Sequence, residues 1–178
     1  YNMDDDEQQR QEGFIETVSI GNECGTCTAC CTSLGFTGSS EEFDPNPEGT
    51  KALGIDYDFG NICNKVCDYG CTIYNMRPEP CRSFECAYIL HDLPFEHRPD
   101  QSGVITEVKK FWNGGPSWVQ GVVMTVEKSG VSGITSTEFR DKNRELLEDI
   151  IVQTGISLGK KQDMFYLVSK KEQIVVWR

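Results

Sequence analysis

Nine cysteines are the residues of this chain best suited to chemistry, and they are clustered. They stand at positions 24, 27, 30, 31, 63, 67, 71, 81 and 86, inside a window of 63 residues, and the last 92 residues contain none. A chain that used cysteine as a small apolar residue would scatter it. In a cytosolic protein, clustered cysteines are typical of metal ligands, because thiols stay reduced there. The odd number also fits poorly with a framework made only of disulfides.

The first three cysteines, Cys24, Cys27 and Cys30, recur at intervals of three residues. Gly25 and the small residues around it let the backbone wrap around one centre. Two chemistries fit. A tetrahedral zinc ion takes four thiolates, commonly from one Cys-x-x-Cys hook and a second hook elsewhere. An iron–sulfur cluster takes a run of three cysteines at this spacing plus a remote one. Three successive hooks favour a 4Fe–4S cluster.

Cys30 and Cys31 are adjacent in the sequence. Neighbouring side chains diverge, so we do not expect both thiols to serve one small centre. One of them serves a second centre or is a buried thiol. A vicinal disulfide is the third alternative, and it is the least favoured because of its strain.

Two motifs give the chain a resemblance to a known family. Residues 24–31 have the pattern CxxCxxCC, and residues 71–86 have the pattern C-x-I-Y-x-x-R-P-x-x-C-R-x-F-x-C. Over residues 22–90 the chain therefore resembles the YkgJ-type cysteine-cluster family. The resemblance implies a zinc- or iron-chelating module. That module is also similar to the cysteine-rich part of flagellin lysine methylases, so it can accompany an enzyme without carrying the chemistry.

The resemblance also implies a set of metal ligands. They are Cys24, Cys27, Cys30, Cys31, Cys71, Cys81 and Cys86. One further cysteine is usual shortly before the C-x-I-Y segment, and Cys63 and Cys67 compete for that place. We favour Cys67, because the three residues between it and Cys71 make a short hook.

The surrounding sequence predicts an α+β protein in three parts. Residues 1–12 are an acidic flexible tail, residues 13–100 are a loop-rich cysteine-cluster region that binds metal, and residues 101–178 are a small ββαββ unit. In the last part, segments rich in Val, Thr and aromatic residues predict strands at 104–112 and 118–127, and residues 164–169 and 173–178 are predicted to form a terminal hairpin. Thr135 and Glu138 predict a capping box at the start of a helix that continues to Gly155.

The cysteine region has few patterned apolar residues. A helix is predicted from Pro78 through the segment PEPCRSFECAYILHD, and Pro94 and Pro99 end it. Burial of so little apolar surface hardly offsets backbone ordering, which costs about 1–2 kcal/mol per residue. Metal–thiolate bonds are therefore expected to stabilise this region.

The charge of the chain is uneven. The formal net charge is -11, and residues 1–100 hold 19 acidic and 6 basic residues, whereas residues 101–178 hold 9 and 11. Nucleic acid is not expected as a partner, because binding rests on Lys and Arg neutralising phosphates. We expect a protein partner with a basic surface, attracted over long range. No apolar run reaches the roughly 20 residues of a bilayer span, so we expect no membrane span and a cytoplasmic location.

The sequence also suggests roles for two arginines and two histidines. Arg77 and Arg82 either form salt bridges within the acidic half or raise the potential of an anionic cluster. His91 and His97 are expected to be solvated. The sequence has no phosphate loop, nucleophile elbow or His-Glu zinc helix, so a self-contained hydrolase or nucleotide enzyme is disfavoured, and an electron carrier that serves an oxidoreductase stays open.

These observations lead to one leading function and two alternatives. The leading hypothesis is an iron–sulfur protein with one 4Fe–4S cluster, acting in electron transfer or redox sensing. The first alternative is a zinc-stabilised protein-interaction module without catalytic activity. The second is a secreted domain rich in disulfides.

Overall fold

The chain combines α-helices and β-strands, as the sequence predicts at the level of fold class. A computed structural model describes residues 22, 25–34, 47–55, 59–112, 118–159 and 164–177. The predicted acidic tail at 1–12 and the predicted ligand Cys24 lie outside these residues. No helix in the described part of the chain has the length and apolar character needed to cross a bilayer.

Short elements make up the first half. The helices are α1 (Ala29–Ser33), α2 (Pro47–Ala52), α3 (Glu79–Ser83), α4 (Ala87–Leu90) and α5 (Pro99–Ser102). Two-residue strands β1 (Val66–Cys67) and β2 (Gly70–Cys71) form an antiparallel hairpin. Single 3-10 turns lie at Tyr74–Met76 and Phe95–His97.

The helix predicted from Pro78 is two helices. Phe84 ends α3 with extended backbone angles (φ -75, ψ 121), and Cys86 caps α4 with φ -76 and ψ 166. This break places Cys86, which is 8% exposed, in a buried apolar cluster. Helical periodicity in the sequence does not show the break, because the burial of Cys86 is a tertiary effect.

A four-stranded sheet dominates the second half. Its strands are β3 (Val104–Trp112), β4 (Trp118–Val126), β5 (Met164–Val168) and β6 (Gln173–Trp177), in the order β3-β4-β5-β6. β3 pairs antiparallel with β4, β4 pairs parallel with β5, and β5 pairs antiparallel with β6. The four predicted strands are therefore present, with ends that differ by about one residue.

Helices connect β4 to β5. They are α6 (Ser129–Ser132), α7 (Ser136–Lys142) and α8 (Arg144–Leu158). The predicted capping box is present: Thr135 Oγ1 accepts from Glu138 N at 3.2 Å, and Thr135 N donates to Glu138 Oε2 at 2.9 Å. The single helix predicted here divides at Asn143, whose side-chain amide donates to Phe139 O at 2.9 Å.

Two apolar clusters meet at β3. The larger one contains Val104 and packs the sheet against α7 and α8; its other buried members are Val122, Met124, Val126, Phe139, Leu147, Ile150, Phe165 and Leu167. The smaller one contains Ile105 together with Ala29, Cys86, Ala87, Tyr88 and Leu93. Successive residues of a strand point to opposite faces, so one strand serves both clusters.

Hydrogen bonds also join the halves beyond the end of β4. Glu127 Oε1 accepts from Thr32 Oγ1 at 3.3 Å, and Lys128 N donates to Ser33 Oγ at 2.9 Å. Lys170 Nζ donates to Asn61 Oδ1 at 2.7 Å. Helix α1, which carries Cys30 and Cys31, is thereby fixed to the rim of the sheet.

Candidate metal centre

Helix α1 holds the segment that contains Cys63 beside Cys31. Cys31 N donates to Thr28 O at 2.9 Å and starts the helix, and Cys63 N donates to Cys31 O at 2.8 Å. Gly60 N also donates to a carbonyl of α1, Ser33 O, at 2.7 Å. Two backbone hydrogen bonds therefore hold the segment before Cys63 against α1.

Cys27 lies between two helix starts. The backbone N–H groups of Ala29 and Asp100 donate toward its sulfur. Burial nevertheless raises the pKa of the Cys27 thiol from 9.0 to about 11, since the charged form loses more hydration than these donors restore. Cys30 adds to the increase as a nearby thiol.

Cys81 has three other cysteines close enough to act on its thiol. Burial and then the charges of Cys63, Cys30 and Cys71 raise the pKa of the Cys81 thiol from 9.0 to about 11, whereas Arg77 opposes them. Cys30, Cys63 and Cys71 thus lie within electrostatic range of Cys81, although the four cysteines come from three separate segments.

The β1–β2 hairpin separates its two cysteines. Cys71 pairs with Val66 and is partly buried, whereas Cys67 pairs with Gly70 and is exposed. Cys63, just before the hairpin, accepts a hydrogen bond at its sulfur from Lys65 N at 3.4 Å. Backbone N–H donation to sulfur stabilises a thiolate, so Cys63 has the better environment for ligation.

Cys30, Cys31 and Cys86 have different surroundings. A side-chain hydrogen bond with Cys31, followed by burial, raises the pKa of Cys30. Cys86 is buried in the smaller apolar cluster, and Cys27 and Cys30 pack against that cluster. Cys86 thus belongs to the apolar cluster that borders Cys27 and Cys30.

The described cysteines lie in one region, but their sulfur atoms do not surround a common point. Across residues 22, 25–34, 47–55, 59–112, 118–159 and 164–177, no group of three or more His, Cys, Asp or Glu side chains has an arrangement that could hold a metal ion. The same residues contain eight cysteines, and none of them forms a disulfide. Ligation would therefore require the thiols to rotate toward a common point.

The two arginines considered from the sequence differ. Arg82 pairs with Glu79 at 2.6 Å, and its side chain is 55% exposed. Arg77 stacks on Tyr74, with its guanidinium carbon 3.6 Å from the ring centroid, and it acts on Cys81. Arg77 is thus placed to influence a thiol, whereas Arg82 is paired with Glu79.

Some site residues were missed by sequence reasoning. Arg98 and Asp100 lie against the first cysteine hook. The available signal was a short repeat: Tyr74-Asn75-Met76-Arg77-Pro78-Glu79 has the same aromatic-x-x-Arg-Pro-acid pattern as Phe95-Glu96-His97-Arg98-Pro99-Asp100.

Comparison with known proteins adds no name to this site. No family model, no curated protein and no solved structure matches the chain.

Proposed function

We propose that residues 13–100 bind an inorganic metal centre through cysteine thiolates, and that its leading form is one 4Fe–4S cluster. The observation that carries the proposal is the group formed by Cys30, Cys63, Cys71 and Cys81, in which the charges of the other three raise the pKa of Cys81. Gathering four thiols from three chain segments is unfavourable in free energy unless a ligand binds them.

The chemistry of the donor set fits such a centre. The sulfur of Cys63 already accepts a backbone N–H from Lys65, and the backbone N–H groups of Ala29 and Asp100 favour the thiolate of Cys27 by lowering its pKa against the larger effect of burial. Hydrogen bonds of this kind orient and stabilise metal-bound thiolates. When bound, an iron–sulfur cluster supplies a one-electron couple. The residues of this chain would hold it, exclude water on the side of Cys86 and supply positive charge from Arg77.

The packing of the first half supports a structural need for the ligand. Its described apolar cluster has only six buried members, one of which, Ile105, belongs to the sheet. Many of its hydrophobic side chains are exposed instead; these are Ile62, Tyr69, Tyr74, Met76, Leu90 and Phe95. Metal–thiolate bonds add about 10–16 kcal/mol of apparent folding free energy in small zinc domains, which would compensate for so small a core.

The biological role that we propose is electron transfer or redox sensing with a protein partner. The net negative charge of residues 1–100 would attract a basic partner surface at long range. We also propose that the chain is a YkgJ-type cysteine-cluster protein with a ββαββ unit after the cysteine region. Its clustered thiols suit a reducing compartment, and the cytoplasm is our proposal for its location.

One observation favours zinc as the second candidate. Four thiolates complete a tetrahedral zinc ion, and the group around Cys81 contains four cysteines. In that case the protein is a zinc-stabilised interaction module without catalytic activity.

Anaerobic isolation followed by iron, sulfide and zinc analysis tests these proposals. We expect about four iron and four sulfide per chain, with broad visible absorption, for one cluster. Colourless protein with stoichiometric zinc selects the second candidate. Protein that takes up neither metal after reconstitution contradicts both.

Two cysteine variants make the test specific to the site. Cys81→Ser should abolish metal uptake, because Cys81 has three thiol neighbours. Cys67→Ser is the matched control and should retain the metal, because Cys67 is exposed on the hairpin. Equal loss in both variants would contradict the ligand group proposed here.

A further inference from the structure

Arg98 lies against the first cysteine hook. Gly25 in that hook has a positive φ of 54, and a Cβ built on it would stand 3.4 Å from Arg98 Nη1. The Arg98 side chain is only 15% exposed, and its charge interacts with Cys27. The guanidinium is therefore held beside the hook rather than in solvent.

Asp100 fixes the orientation of this guanidinium. Arg98 Nε donates to Asp100 Oδ1 at 2.6 Å, and Nη2 donates to Asp100 Oδ2 at 2.7 Å. A two-pronged pair of this kind fixes the plane of the guanidinium. The pair uses Nε and Nη2, while Nη1 is the atom nearest to Gly25.

The same local geometry occurs at Arg77. Each arginine follows a 3-10 turn, precedes a proline that opens a short helix, and has nearly the same backbone angles: φ -55 and ψ 137 for Arg77, φ -57 and ψ 134 for Arg98. Each also lies over the aromatic ring three residues earlier, at 3.6 Å for Tyr74 and 4.8 Å for Phe95. Arg77 acts on Cys81 and Arg98 acts on Cys27. The fold thus uses one six-residue pattern twice to bring a cation to the cysteines.

A centre with four thiolates needs such cations. Four thiolates around Zn²⁺ leave about two negative charges, and an oxidised 4Fe–4S cluster with four thiolates leaves about the same. A partly buried charge is poorly screened by water, so a nearby guanidinium stabilises it strongly. The carboxylate of Asp100 lies close to the Cys27 thiol, and its negative charge opposes the stabilisation by the guanidinium.

We propose that Arg98 is a charge-balancing positioning residue of the metal centre, which it stabilises from the side of Gly25 and Cys27, and that Asp100 limits this stabilisation while orienting the guanidinium. The inference rests on the proposed metal-binding function. It makes opposite predictions for the two members of one ion pair, because their charges act on the centre with opposite sign.

Competition for Zn²⁺ against a chromophoric chelator tests the inference on the reduced full-length chain. Arg98→Gln should weaken Zn²⁺ binding about tenfold, the order expected from loss of one well-placed charge interaction. Arg98→Lys should retain most of the affinity. Asp100→Asn keeps the backbone N–H that faces Cys27 and should bind Zn²⁺ as tightly as wild type or more tightly.

Arg140→Gln is the matched control. Arg140 also forms a pair with a nearby aspartate, with Nη2 2.9 Å from Asp141 Oδ1, but it lies in α7 away from the cysteines. The Arg140→Gln substitution should leave the affinity for Zn²⁺ unchanged. The effect of Arg98→Gln should also shrink at high ionic strength, as a charge effect does.

The outcomes separate this inference from the function on which it rests. Wild-type protein that binds neither zinc nor iron overturns both. Tight binding by wild type together with unchanged binding by Arg98→Gln overturns the role of Arg98 alone. A similar loss in Arg98→Gln and Asp100→Asn also overturns it, because that result would mean that the pair only holds the local backbone. Circular dichroism confirms folding. If Arg98→Gln does not fold, the Zn²⁺ affinities of Asp100→Asn and Arg98→Lys decide the question: the first should bind as tightly as wild type or more tightly, and the second should retain most of the affinity.

Discussion

His97 Nε2 lies 2.7 Å from Asp149 Oδ2 and joins the 3-10 turn at Phe95–His97 to helix α8. The His97 side chain is 1% exposed, whereas that of Asp149 is 54% exposed. Since a carboxylate accepts, Nε2 carries the hydrogen of this bond, and Nδ1 has no hydrogen-bond partner among the described residues. The bond therefore connects the last turn of the cysteine region to the longest helix of the second half.

Asp149→Ala should destabilise the protein by about 1–3 kcal/mol, because it leaves a buried imidazole N–H without an acceptor. The measurement is the free energy of unfolding in urea. Glu148→Ala is the control, since Glu148 is an exposed neighbour on the same helix. Equal unfolding free energies for the two variants would show that the bond between His97 and Asp149 contributes nothing.

The stability of the metal-free, reduced protein should fall at alkaline pH. The thiols of Cys27 and Cys81 have pKa values raised from 9.0 to about 11 in the folded chain. Below about pH 9 both the folded and the unfolded chains keep these protons, and above it the unfolded chain loses them first. The free energy of unfolding should therefore decrease as the pH rises from 9 to 11. A double variant with Cys27→Ser and Cys81→Ser should show a smaller decrease, and an identical pH profile would contradict the assignment.

Removal of bound metal should disorder the cysteine region while the sheet persists. All three tryptophans, Trp112, Trp118 and Trp177, belong to the second half. Tryptophan emission should therefore change little after chelation, whereas amide hydrogen exchange should accelerate in residues 25–34 and 63–86. A cysteine region whose amides stay protected without metal would contradict the structural role of the ligand.

Gly25→Ala should impair metal uptake. The residue has a φ of 54, which strains any side chain, and the added Cβ would meet Arg98 Nη1 at 3.4 Å. Gly155→Ala is the matched control, because nothing lies within 4 Å of its Cβ position inside α8. This control should keep full metal uptake and gain about 0.5–1 kcal/mol of stability. Full metal stoichiometry in Gly25→Ala would show that the hook tolerates a side chain.

The strands of the sheet and the start of the helix after Thr135 could be predicted from the local sequence. Local composition located Val104–Trp112 and the strands that follow, and Thr135 with Glu138 located the start of a helix. These signals work because the residues that decide them are close in the sequence. The division of the helix at Asn143 was missed, since apolar periodicity continues across it.

The site depended on contacts that no local pattern reveals. His97 was expected to be solvated, and the structure buries it, because its partner Asp149 is 52 residues away. The choice of Cys67 over Cys63 rested on spacing alone, whereas the bond from Cys63 N to Cys31 O comes from tertiary packing. The ligand set itself stays a prediction, and Cys24 lies outside the described residues.

Neighbouring residues of strand β3 belong to different clusters, with Val104 on the helix side and Ile105 on the side of the cysteines. Insertion or deletion of one residue at this point would exchange the two faces, so that each interior would receive the side chain suited to the other. Pairing of β3 with β4 in the correct alignment is thus a requirement for assembling the thiol-bearing surface as well as the sheet. An error in strand alignment would then be detectable as a failure of the distant cysteines to gather.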